Sequence, residues 1–378
     1  MRLVHYSVEK YRSITAKSEL DILPFTVILG PNNKGKSNLL RGLSLSLRTL
    51  ENMRGPVAFW RKVGGRLVCE NRFARIGDLY NWDRDYPLSL QKDKRCKDVT
   101  KKRSQFVMMF KLESKESEEL KSTAGVSTTS GLLPIKLEFG VSEIYFSLKL
   151  QGRTFSKLNS EAMRRVAGFV TARLSVCYID AERTAETANR SVMRMLDRPL
   201  RRHLDSPQSR KFLEKLQKEQ DKMLRTVVEG LEKTLKEFLP AAKSAEILMD
   251  RIQVASGDLD IWIDDGVKTK LRQKGSGVQS LMAIAVAKYV SGLSSRGVSG
   301  LVLALEEPET HLHPEAIHQV RETLQKMSQT SPVIVTTHSP LLVNVDEISA
   351  NLIVDENKAV PAKSLDSIRK LLGVWRSD

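Results

Sequence analysis

The sequence has little of what marks secreted or membrane proteins. No run of about 18 apolar residues occurs, so no spanning helix is expected. The opening stretch MRLVHYSVEKYRSI alternates charged with apolar residues and lacks the apolar core of a signal peptide. Cysteine is scarce: Cys69, Cys96 and Cys177 are odd in number and widely spaced. That argues against a disulfide framework or a zinc site and fits a reducing cytoplasm. Acidic residues are in deficit, 45 against 61 basic ones, which leaves a net charge of +16. Such an imbalance exceeds what solubility needs and points to an anionic partner, nucleic acid first. Charge supplies attraction, not specificity.

What is present reads as an α/β protein. The 378 residues suffice for two or three domains. LVHYSVEKY, SELDI and FTVILG are strand-like, and the last runs into GPNNKGKSNLLRGLSLSLRTL, a loop followed by an amphipathic helix. SQFVMMFKLES is strand-like, and LPIKLEFGVSEIYFSLKL alternates around a glycine as a hairpin does. A helix is expected near 159–173, then the strand SVCYID. The stretch SPQSRKFLEKLQKEQDKMLRTVVEGLEKTLKEFLP has a serine cap and proline at the first helical position. At 1.5 Å per residue it reaches about 45 Å, a lobe and not a long arm. After residue 250 strands and helices alternate, which predicts a mostly parallel sheet covered by helices. The expected division is a head lobe at 1–52, a β-rich insertion at 53–183, a helical insertion at 184–250 and a second head lobe at 251–378.

GPNNKGKS matches G-x-x-x-x-G-K-[ST] between a buried strand and a helix, the context a phosphate loop requires. The predicted nucleotide contacts are Asn32, Asn33, Lys34, Gly35, Lys36, Ser37 and Asn38. Backbone N–H groups and the helix N-terminus would cradle the phosphates of ATP. Lys36 would reach the β- and γ-phosphates, and the Ser37 hydroxyl would ligate Mg2+.

LVLALEEPETHLHP delivers two carboxylates at the end of a buried strand, where ligands bind in open α/β sheets. Neighbouring strand residues point oppositely. Glu306 is therefore expected to hold Mg2+ with Ser37, and Glu307 to orient or deprotonate the attacking water. His338, ending the strand VIVTTHS, is the candidate sensor of the γ-phosphate. The run HLHPEAIH invites a metal reading, but no supporting ligand set is evident, and a packed turn is the simpler reading.

A second glycine-serine loop, KGSGVQS at 274–280, also heads a helix but has no lysine to complete a phosphate loop. Its amides can still cap a γ-phosphate. The economical arrangement is a symmetric dimer, each ATP resting on the Lys36 loop of one copy and covered by the Ser276 loop of the other.

Taken in order, GPNNKGKS, KGSGVQS, LALEEPETHLHP and TTHSP resemble the ABC-type ATPases of the RecF, SMC and OLD group. The OLD-like branch fits best, supported by EKYRSI and by YIDAER at 178–183. The resemblance covers about residues 1–50 and 250–345. It implies an ABC-type P-loop head, a homodimer closed around ATP and open to higher oligomers, and Ser276, Gly277 and Gln279 as a signature loop acting in trans. It further implies that Arg12 and Ser13 line the base or phosphate side of the nucleotide. Val278 stands in place of the usual second signature glycine, Glu306 in place of the commoner aspartate, and His313 where many relatives carry aspartate. OLD nucleases continue into a Toprim domain, whereas only residues 341–378 follow Pro340 here. The expectation is a stand-alone ATPase subunit of the Septu (PtuA) or PARIS kind, acting with a separate nuclease in phage defence. A RecF-like DNA-repair ATPase is the alternative.

Overall fold

The computed structural model describes residues 1–32, 34–53, 60–63, 66–69, 80–92, 102–141, 144–149, 155–157, 160–181, 208, 211, 215, 261–264, 266–294 and 300–373. The chain forms two compact units, Met1–Val192 with Leu271–Asp378, and Met193–Lys270. Apart from 208, 211 and 215, the expected helical insertion at 184–250 lies outside the described residues, as does most of the lysine- and arginine-rich run KDKRCKDVTKKR at 92–103.

The larger unit is built on two sheets. The first contains β1 (Arg2–Glu9), β2 (Ser18–Asp21), β6 (Ser104–Lys111), β7 (Leu132–Phe139), β8 (Ile144–Leu148) and β9 (Ser156–Lys157), in the order β2-β1-β6-β7-β8-β9. All its pairings are antiparallel. The strands β4 (Trp60–Val63) and β5 (Arg66–Cys69) form a separate hairpin. In β6 the side chains of Ser104, Phe106, Met108 and Phe110 are buried while alternate residues are not, the two-residue period of a sheet with one covered face. The first two strands of the chain thus join the antiparallel sheet, and the third joins the other sheet.

The second sheet has the order β10-β13-β14-β3-β15-β16, from β3 (Phe25–Leu29), β10 (Leu174–Ile179), β13 (Gly300–Glu306), β14 (Val333–Thr336), β15 (Asn351–Asp355) and β16 (Lys358–Pro361). It is parallel from β10 to β15 and closes with the antiparallel β16. β3 is buried at all five positions and β14 at all four, as expected of central strands covered on both faces.

Helix α1 (Lys36–Met53) lies between the two sheets and packs on β1, β6, β10, β13 and β14. It is buried nearly all round, so its polar residues need partners of their own. Ser46 and Thr49 donate to the carbonyls of Gly42 and Leu45, one turn earlier, both at 2.8 Å. Helix α2 (Ser114–Ala124) opens with a reciprocal capping box between Glu113 and Glu116 and ends at Gly125 in the left-handed conformation. It packs on α3 (Ser160–Arg173), which also lies against α1. Helices α4 (Ser276–Ser294) and α5 (Pro314–Ser328) pack on each other, α4 against β13 and α5 against β14 and β3. Helix α6 (Leu365–Leu372) follows β16. The smaller unit contributes the hairpin of β11 (Trp262–Asp264) and β12 (Lys268–Lys270). No helix among the described residues is long and apolar enough to cross a membrane.

Candidate nucleotide site

Strand register sets the site. Glu306 stands opposite Thr336, and Thr336 opposite Ile28, so β13, β14 and β3 finish abreast. Immediately beyond that edge come Glu307, the Thr337–His338 segment and the phosphate loop. This is the carboxyl edge of a parallel sheet, where open α/β folds bind ligands.

The phosphate loop leaves β3 and enters α1 at Lys36. The ammonium of Lys36 is buried and donates to the carbonyls of Gly30 at 2.7 Å and Pro31 at 2.8 Å. Burial lowers its pKa, opposed by the negative charges of Glu307, Glu306 and Glu309. Gly35 has φ +98°, a conformation that favours glycine, and a Cβ there would stand 2.4 Å from Asn357 Oδ1 and displace that side chain.

The remaining loop residues are held by the β15–β16 turn. Lys34 pairs with Asp355 at 3.0 Å, Ser13 donates to Asn357 Oδ1 at 2.7 Å, and Asn38 donates to Ser13 Oγ at 2.9 Å. Asn32 is exposed, and Asn33 lies outside the described residues. Arg12, at φ +51°, turns to the buried carboxylate of Asp85 at 2.9 Å, and its backbone N–H donates to the Asp85 carbonyl at 2.6 Å. Arg12 is thus engaged with the segment carrying the helical turn Trp82–Asp85, while Ser13 stays beside the phosphate loop.

Glu306 is 1% exposed and accepts from the Tyr178 hydroxyl at 2.5 Å. Arg41 lies 3.5 Å away. Burial raises the Glu306 pKa, countered by Tyr178, Arg41 and the nearby Ser37 hydroxyl. Arg41 sits one helical turn beyond Ser37 and also donates to Tyr178 at 3.1 Å and Asp180 at 3.0 Å. Tyr178 and Asp180 belong to YIDAER, a segment the sequence singled out without giving either residue a role. Arg41 carried no sequence signal.

The Ser37 hydroxyl is near enough to Glu306 to lower its pKa, and a hydroxyl beside a carboxylate suits Mg2+ in donor type. When bound, the ion would supply charge stabilisation at the β- and γ-phosphates.

Glu307 lies at φ +42°, a region that non-glycine residues enter only when their surroundings hold them there. Its N–H donates to Thr336 O at 2.9 Å, and its carboxylate stands 3.5 Å from His338 Nε2. That nitrogen is buried and makes no hydrogen bond within the protein. Burial, then the nearby Lys36 charge, hold the His338 ring below the usual histidine pKa, opposed by Glu307 and Glu309. Lys36, Ser37, Glu306, Glu307 and His338 are thus brought to one edge.

The expected signature loop leads into α4. Gly275 is exposed, Ser276 and Gly277 are half-buried, and a Cβ on Gly277 would stand 2.9 Å from His311 O. Glycine at 277 thus lets α4 seat against the turn that follows Glu307. Gln279 is buried and donates to Lys274 O at 2.8 Å, which holds the loop from inside. The histidines of HLHPEAIH take part in no metal-holding group: among the described residues no three His, Cys, Asp or Glu side chains are placed to bind an ion. Glu309 faces the Thr337–Ser339 segment, and His313 precedes the first turn of α5.

A relative, the Old nuclease of Escherichia phage P2, is 22% identical over 407 residues, covering 97% of this chain and 61% of that protein. The chain therefore spans about three fifths of the length of that curated relative. Among solved structures, the SmcHead bound to the C-winged helix domain of ScpA aligns over 97% of this chain and 100% of its own, with TM-score 0.50 and 15% identity. The family described as AAA ATPase domain (AAA_15) matches residues 1–343. This chain belongs to that ATPase family, and its fold is like that of the SMC head.

Proposed function

We propose that this protein dimerises around ATP, hydrolyses it, and uses the cycle to control a separate nuclease effector in anti-phage defence. The observation that carries the hydrolytic part is the convergence of Lys36, Ser37, Glu306, Glu307 and His338 at the ends of three adjacent parallel strands. In this reading Glu307 takes the proton of the water that attacks the γ-phosphorus, and the bond to the ADP oxygen breaks. Lys36 exchanges its two loop carbonyls for phosphate oxygens, and Ser37 with Glu306 would hold Mg2+. Gly275 is exposed and Ser276 half-buried, which supports a lid offered to a second copy. Ser276 and Gly277 are assigned to that lid, while Gln279 holds the loop. Asn32, Asn33, Lys34, Gly35 and Asn38 stay with the phosphates, and Ser13 with the base or phosphate side. The P2 relative, named a nuclease, supports a link to nucleic-acid cleavage.

The test is Glu307→Gln. ATP turnover should fall about 10²- to 10⁴-fold, the usual worth of a general base, while light scattering shows a stable ATP-dependent dimer. A variant that remains monomeric and hydrolyses ATP at the normal rate would remove the mechanism. The net charge of +16 favours a second reading, a DNA-clamping ATPase of RecF-like type. It requires DNA binding that weakens with salt at a log–log slope of about −0.9 per phosphate contacted.

A further inference from the structure

We infer that Glu309 is a positioning residue for hydrolysis, holding His338 against Glu307 through the backbone on either side of the ring; the inference rests on the hydrolytic reading above. One carboxylate oxygen, Oε1, accepts three hydrogen bonds from consecutive residues. The Thr337 hydroxyl donates to it, as do the N–H groups of His338 at 3.0 Å and Ser339 at 3.2 Å. The Ser339 N–H is shared with Thr337 Oγ1 at 2.9 Å, and Ser339 Oγ accepts from Leu341 N–H, which caps the 3-10 turn Pro340–Leu342. A segment of three residues is therefore pinned at a single atom.

Glu309 itself is fixed by its own turn, in which Thr310 N–H donates to Glu307 O and Leu312 N–H to Glu309 O, both at 3.0 Å. That turn carries Glu307 at one end and, near the other, the His311 carbonyl against Gly277. Glu309 is thus the link between the segment bearing His338, the carboxylate of Glu307 and the seat of the signature loop.

A carboxylate accepting several N–H and O–H donors at once is a strong, charge-assisted clamp. Its other oxygen, Oε2, is buried and makes no hydrogen bond within the protein. Burying an oxygen without a partner is costly, so a residue serving only to fill the turn would not be a glutamate.

The experiment uses the full-length chain with ATP and Mg2+, scoring turnover, KM and binding of a fluorescent ATP analogue separately. Glu309→Ala should lower kcat about 10- to 100-fold, the usual cost of losing an outer-shell partner, with KM and analogue binding close to wild type. Glu309→Gln, whose amide oxygen can still accept these bonds, should recover most of kcat. Histidine NMR in the absence of nucleotide, with the His338 signal assigned by His338→Gln, should show that ring shifted in Glu309→Ala and restored in Glu309→Gln. If Glu309→Ala does not fold, Thr337→Val carries the test and should lower kcat at unchanged KM. Wild-type kcat in Glu309→Ala, or in Thr337→Val where that variant carries the test, overturns the inference. So does a fall expressed only in KM. Absence of ATP turnover in the wild-type protein would instead strike the hydrolytic reading, leaving the NMR arm to judge the clamp.

Discussion

The Tyr178 hydroxyl donates to Glu306 at 2.5 Å, joining the end of β10 to the end of β13 beneath the phosphate loop. Those strands are neighbours in the sheet, so the contact crosses one ladder in space and 128 residues in sequence. Burial and the Glu306 charge raise the Tyr178 pKa, so the phenol stays protonated and remains a donor. Tyr178→Phe should leave ATP binding intact and weaken Mg2+ dependence about 10- to 100-fold. Turnover measured across a Mg2+ titration checks it; an unchanged half-saturating concentration would mean that Ser37 and Arg41 orient Glu306 alone.

Ser276→Arg places a bulky cation where the lid should meet the partner's nucleotide. Each copy should bind ATP normally while turnover and ATP-dependent dimerisation are lost. Equilibrium binding of a labelled ATP analogue, compared with Lys36→Ala, decides it. If binding falls as far as in Lys36→Ala, the loop serves its own subunit.

The His338 ring should titrate below the ordinary value of about 6.5 in the nucleotide-free protein, because burial and Lys36 both disfavour its cation. The sign follows directly. Between the depressed folded pKa and the ordinary one, the unfolded chain binds more protons, so stability falls as pH drops through that window. Lys36→Met removes one of the two causes and should move the ring upward. A histidine NMR titration reads both shifts, and a ring unmoved by Lys36→Met would place the ammonium elsewhere.

Asp85 is fully buried between Arg12 and Arg84. Burial alone would raise its pKa, but hydrogen bonds from Arg84 and the Asn81 N–H, with the charge of Arg12, bring it below the usual carboxylate range. Its contribution is therefore present above that range and lost as pH falls through the depressed value. Asp85→Asn should cost about 1–3 kcal/mol, read by urea unfolding near neutral pH. A loss equal at low and neutral pH would show that the pairing is not ionic.

The phosphate loop and the paired glutamates were legible because each is a local pattern: a buried strand, a few functional residues, then a turn or helix. The partners of those residues were not, because they come from far away in the chain. Arg41 looks like a surface residue of an amphipathic helix until β10 returns beside it with Tyr178 and Asp180. Glu309 sat in a histidine-rich phrase that suggested metal, and its true contacts begin 28 residues later. Helix α2 was missed among charged residues, although Glu113 with Glu116 and the closing Gly125 carry the capping signals. The antiparallel sheet was seen only in pieces: nothing local says that β1 pairs with β6.

The strand that feeds the phosphate loop has both of its neighbours, β14 and β15, in the last part of the chain, and Asn357 reaches Ser13 across 344 positions. The antiparallel sheet can assemble from residues before 160, whereas the apolar FTVIL strand must wait on the ribosome for its flanks. At about 5–20 residues per second that delay is on the order of 15 to 60 s. Closure of the sheet around the phosphate loop thus waits until residues 333–357 have emerged. Until then a sticky segment near its beginning stays unpaired, the kind of intermediate that depends on chaperones.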